Sequence, residues 1–120
     1  MLEMAVMARK YTYQHIGKLY LVDCAAFFCV MFSRKVYEDV GLMEEAFGVG
    51  FFEDDDYCNR VRAAGYQIAV VEDVFVHHHL SASFDKLKVE VKQALFEKNK
   101  VIYEKKWGAW VPHKYRPGVH

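Results

Sequence analysis

Phe51-Phe52-Glu53-Asp54-Asp55-Asp56-Tyr57-Cys58-Asn59-Arg60 places four consecutive carboxylates between an aromatic pair and a segment that runs on to Gly65. Like charges packed this closely repel one another, so the run needs a compensating cause. One cause is structural: in the first turn of a helix, acidic side chains face unpaired N–H groups and the positive end of the dipole, each gaining ~0.3–1 kcal/mol. The other is chemical: a carboxylate held against an apolar wall and beside other carboxylates binds its proton more tightly, toward the range of a general base. The residues alone leave both open. Downstream, Cys58, Val61 and Ala64 recur at helical spacing, which predicts a helix from about Asp54 that Gly65 ends.

Upstream, Tyr20 to Phe32 is an almost unbroken apolar run, too short to cross a membrane and suited to a central strand buried on both faces. Ser33 can cap the next element, a short helix over Arg34–Val40 that stops at Gly41. Gly48 and Gly50 punctuate the loop before Phe51. After the acidic helix, Gln67–Val71 and Val74–His79 are rich in β-branched residues and predict two short strands joined tightly through Glu72-Asp73. From Phe84 onward, Phe84, Leu87, Val91, Ala94, Leu95, Val101 and Ile102 predict one apolar face of an amphipathic helix reaching residue 106. Residues 107–120 form an aromatic-basic tail, in which Pro112 and Pro117 oppose continuation of the helix.

The 120 residues suffice for one domain with one core, and 53% hydrophobic content excludes a disordered chain. Zero formal net charge gives no basis for nucleic-acid binding, which needs a basic surface to displace counterions. Lysines gather after Phe84, either as a solvated helix face or, with Trp107 and Trp110, as a surface for anionic lipid or a lipid-linked acceptor. Cys24, Cys29 and Cys58 are odd in number and lie in apolar surroundings, which predicts reduced, buried thiols. With no apolar stretch near ~20 residues and no secretion-signal layout, a cytoplasmic protein is expected, with peripheral membrane contact left open.

Read in order, several motifs resemble those of the C-terminal half of family-2 glycosyltransferase catalytic domains, over roughly residues 22–84. They are Ser33-Arg34-Lys35-Val36-Tyr37, Gly41-Leu42-Met43-Glu44-Glu45-Ala46-Phe47, Glu53-Asp54-Asp55-Asp56-Tyr57-Cys58-Asn59-Arg60, Ala64-Gly65-Tyr66, and Val76-His77-His78-His79-Leu80-Ser81-Ala82-Ser83-Phe84. The resemblance implies an α/β fold of partial GT-A, Rossmann-like type with flanking helices. It also implies the acceptor-side portion of an inverting transferase that moves a sugar from a nucleotide-sugar to a hydroxyl acceptor. No D-x-D or Gly-rich nucleotide motif precedes the apolar run, so the nucleotide-binding half is expected from elsewhere, as a complementary chain, and the chain alone is expected to be inactive.

By the same resemblance Asp54 is the catalytic base, Glu53 and Asp56 orient acceptor hydroxyls, and His78, then His77, help hold a divalent cation, Mn²⁺ or Mg²⁺. Strand alternation places His77 and His79 on one side and His78 on the other, and ordinary packing accounts for them equally well. Oxygen-preferring cations are held poorly by one imidazole, so metal binding by this chain alone is expected to be weak. Arg60 is expected to brace the acidic turn, and Gly48 and Gly50 either close a loop over a sugar or simply turn the chain. The alternative is non-catalytic: a remnant domain whose exposed sheet edge pairs with a second copy, giving a homo-oligomer. A small hydrolase is disfavoured because no motif sets a nucleophile beside a base.

Overall fold

The computed structural model of the chain describes residues 2–48, 50–78 and 88–113. The elements run α1 (Leu2–Gln14), β1 (Leu19–Val22), α2 (Arg34–Val40), a single 3-10 turn (Glu45–Phe47), α3 (Glu53–Ala63), β2 (Ile68–Val71) and α4 (Val89–Trp107). The result is a mixed arrangement of helices with a two-stranded sheet.

Local signals set α2 and α3 where expected. The Ser33 hydroxyl accepts the Val36 N–H at 3.3 Å, and the Gly41 N–H, at φ +89°, donates to the Tyr37 carbonyl at 2.8 Å. α3 begins at Glu53 with all four carboxylates in its first turn and no side-chain cap, and the chain leaves it through Gly65 at φ +93°. A left-handed glycine there ends the helix without the strain a Cβ would bring.

The sheet corrects two expectations. β1 and β2 pair antiparallel, with Leu19 opposite Val71, Tyr20 opposite Val70, Leu21 opposite Ala69 and Val22 opposite Ile68. Tyr20, Val22, Ile68 and Val70 lie on the half-buried face, while Leu19 and Leu21 are 60% and 59% exposed on the other. The strand expected over Tyr20–Phe32 therefore stops at Val22, and Val30, Met31 and Phe32 are exposed. A strand buried on both faces needs neighbours on both sides, and among the described residues β1 pairs with β2 alone. The strand expected over Val74–His79 is not formed across Val74–His78, which are exposed; His79 lies outside the described residues.

The largest share of burial sits under α3 and α4. Among the described residues Phe47, Phe52, Tyr57 and Cys58 are the buried apolar side chains, joined there by the polar Asp56 and Asn99, while Glu72 is buried just after β2. The packed face of α4 matches its apolar spacing only in part: Leu95 and Ile102 of the predicted face are half-buried, as are Phe96 and Tyr103 beside the buried Asn99, whereas Val91, Ala94 and Val101 are exposed. Phe84 and Leu87 of the predicted helix face lie outside the described residues. The cause is Phe52, whose ring meets Phe96, Tyr103 and Trp110 at centroid distances of 5.2, 5.5 and 5.2 Å. Between those rings Asn99 Nδ2 donates to the Phe47 and Phe51 carbonyls at 2.7 and 3.1 Å and also to that of Gly50. Backbone carbonyls of a buried loop need donors, and a helix residue supplies them.

α1 has no buried residue and meets the rest through its end. The Tyr11 hydroxyl donates to Glu72 Oε1 at 2.9 Å, and the Gly17 N–H, just past the helix, donates to Asp73 Oδ2 at 2.8 Å.

Candidate functional site: the acidic turn of α3

Entry into the acidic turn is strained. Phe51 and Phe52 take φ of 67° and 70°, a left-handed conformation that bulky side chains avoid and that costs on the order of 1–3 kcal/mol per residue. Such strain persists only where neighbours over-determine it. Here the aromatic cage on Phe52 and the Asn99 bonds do so, fixing the direction in which the four carboxylates leave the helix.

Those carboxylates have separate surroundings. Asp56 is fully buried: Arg60 Nε donates to its Oδ2 at 3.1 Å, while Lys106 Nζ at 2.7 Å and Trp107 Nε1 at 2.8 Å both donate to its Oδ1. Both oxygens are taken by the chain itself, so the acceptor-orienting role expected for Asp56 does not fit its position; it ties α3 to the end of α4. Arg60 braces the turn as expected, and its NH1 also reaches the Val40 carbonyl at 3.2 Å, holding the end of α2.

Glu53 and Asp54 are half-buried and uncommitted by comparison. Burial raises the proton affinity of Asp54, and the neighbouring Asp55 charge raises it further, against a lowering by the Asp55 N–H that donates to Asp54 Oδ1 at 2.9 Å. Glu53 is likewise raised, chiefly by burial, and its Oε2 has no hydrogen-bond partner among the described residues.

Asp55 points the other way, toward the loop after β1 and the segment after α4. Its Oδ1 accepts from the Cys24 thiol at 3.7 Å and is in hydrogen-bond contact with His113 Nε2. Beside Cys24, the Ala25 carbonyl accepts from the Cys58 thiol at 3.7 Å. The neighbouring Cys58 thiol, with burial, pushes the Cys24 thiol up, while Cys24 lowers Cys58. The Ala25 N–H also donates to Cys58 Sγ at 3.4 Å. Cys58 is buried as expected, but Cys29 is exposed.

His77 and His78 are exposed, and the His78 ring stacks on Phe28 at 4.6 Å. The same loop carries Phe27, packed edge-on against Tyr57 of α3 at 5.6 Å, so residues 24–28 touch both α3 and the histidine segment. Neither histidine belongs to a group of three ligating side chains among the described residues; Cys24, Asp55 and His113 do. Sulfur and imidazole beside one carboxylate do not suit Mg²⁺ or Mn²⁺, so this group is not the site at which His78, then His77, are expected to help hold such a cation. Two shallow depressions, one lined by Phe32, Ser33, Arg34 and Tyr37 and the other by Asn59, Arg62, Ala63, Tyr103 and Trp107, lie off the acidic turn.

Sequence reasoning missed the Cys24–Asp55–His113 grouping, because it treated the thiols as inert and His113 as tail. One signal was present: Asp55 and Cys58 are three residues apart in a helix and share a face.

Comparison with known proteins adds one relative. The chain is 30% identical over 79 residues to the uncharacterized protein y4gI of Sinorhizobium fredii (strain NBRC 101917 / NGR234), a match over 66% of this chain. The chain spans 9% of that protein's length. No family model matches, and no solved structure matches.

Proposed function

We propose that the chain is the acceptor-side portion of an inverting glycosyltransferase, with a partial GT-A arrangement completed by a nucleotide-binding half. The observation that carries this reading is Asp54. It stands at the mouth of a rigidly entered helix, half-buried, its proton affinity raised by burial and by Asp55, in the motif where the resemblance puts the base. In such a transfer the acceptor oxygen attacks the anomeric carbon from the face opposite the departing nucleoside diphosphate. A base on the acceptor side takes the hydroxyl proton, and Glu53, with an oxygen left unpartnered among the described residues, orients that hydroxyl. The nucleotide half supplies the cation for the diphosphate.

The test is sugar transfer by the chain joined to a nucleotide-binding half. Asp54→Asn is expected to lower kcat by about 10²–10⁴. A kcat within a few-fold of the parent removes the assignment.

A second reading, self-association as an interaction module, is favoured by one observation: Leu19, Leu21 and Val71 form an exposed apolar strip on the outer sheet face at 60%, 59% and 50% exposure. A sheet that has two strands among the described residues readily pairs through an open edge with a second copy. Sedimentation giving a clean monomer at micromolar concentration counts against it.

A further inference from the structure

Three segments far apart in the chain converge on Asp55. Cys24 comes from the loop after β1, 31 residues earlier, and His113 from the segment after α4, 58 residues later. One ligand atom from each of Cys24, Asp55 and His113 lies within 4.8 Å of the other two. Cys58, one turn along α3 from Asp55, lies outside that group but close to it: its Sγ accepts from the Ala25 N–H at 3.4 Å, next to Cys24 in the chain.

The Cys24–Asp55 spacing is one that a metal can bridge. Zinc holds thiolate sulfur at about 2.3 Å and carboxylate oxygen at about 2.1 Å in a tetrahedron, which sets these two atoms about 3.6 Å apart. The Cys24 Sγ to Asp55 Oδ1 separation is 3.7 Å, a thiol hydrogen-bond distance that is also close to that tetrahedral edge. His113 is in hydrogen-bond contact with the same carboxylate, so its ring must draw back slightly to admit an ion; at 42% side-chain exposure and beyond the last helix, it has room to do so.

We propose that Cys24, Asp55 and His113, with Cys58 moving in as the fourth donor, form a structural Zn²⁺ site that clamps the β1 loop and the segment after α4 onto α3. Two sulfurs, one imidazole nitrogen and one carboxylate oxygen make a closed four-donor set of the kind zinc prefers over magnesium or manganese. On binding, the ion takes the two thiolates, the carboxylate and the neutral imidazole, and the protons these groups carried pass to solvent. The site is separate from the cation that a sugar transferase uses on the diphosphate and does not depend on the transferase reading.

The experiment is metal titration of the full chain, reduced and stripped with a chelator. One Zn²⁺ per chain is expected, with a rise in Tm. Co²⁺ in its place is expected to give a sulfur-to-metal charge-transfer band and the intense visible bands of a four-coordinate ion. His113→Gln removes an exposed ligand without opening the interior and is expected to weaken Zn²⁺ binding by about tenfold or more. Cys24→Ser is expected to abolish most of the charge-transfer band, and Cys29→Ser to leave both readouts unchanged. No stoichiometric uptake, a weak six-coordinate Co²⁺ spectrum, equal sensitivity to Cys29→Ser, or a Cys24–Cys58 disulfide that excludes metal overturns the proposal.

Discussion

The α3–α4 side of the molecule is better buried than the strand side, although the strands are the more apolar in sequence, and the two end in opposite states. On the first, Phe52 is closed in by three aromatic rings and Asp56 and Asn99 are fully buried with partners. On the second, Leu19, Leu21 and Val71 face solvent and α1 buries nothing. Hydrophobic content does not decide which side is buried. What separates them is whether another element reaches across: α4 covers α3, whereas β1 has one strand beside it among the described residues.

The contrast can be broken most severely at its aromatic centre. Phe52→Ala removes the ring that Phe96, Tyr103 and Trp110 enclose and is expected to cost about 3–5 kcal/mol in denaturant unfolding, with α4 loosening from α3. Asn99→Leu keeps the volume but leaves loop carbonyls without a donor, for an expected loss of about 1–3 kcal/mol by the same measurement. Leu21→Ser on the open sheet face is expected to change stability by less than about 0.5 kcal/mol, while lowering any self-association seen in sedimentation.

A pH dependence sharpens the same picture. Folding raises the proton affinity of Asp54 above its ordinary value of 3.8, so between 3.8 and the raised value the folded chain holds more proton than the unfolded one. The stabilising contribution is complete below 3.8 and is lost as pH rises through the folded value. Asp54→Asn is expected to flatten this part of the stability–pH profile relative to the parent, which parallel denaturation series across the acidic range will read.

What was legible in the sequence was local. Ser33 and Gly41 bound α2 through bonds within a few residues, Gly65 ends α3, and β2 sits inside its β-branched stretch. What was not legible depended on partners distant in the chain. The length of β1 is set by how many strands flank it, and part of the inward face of α4 by Phe52, with a polar residue, Asn99, at its most buried point. Within the acidic run the sequence located the turn and offered both a helix-capping and a chemical reading. The division of labour among its carboxylates came from elsewhere: Lys106 and Trp107 claim Asp56, and Cys24 and His113 claim Asp55.

That division is the central claim, and a side-by-side urea denaturation of Asp54→Asn and Asp56→Asn tests it most directly. Asp56→Asn unpairs the buried contacts to Arg60 and Lys106 and is expected to cost about 3 kcal/mol, while Asp54→Asn is expected to leave stability at neutral pH unchanged or slightly raised. Equal losses for the two substitutions, or an Asp56→Asn protein as stable as the parent, contradict it.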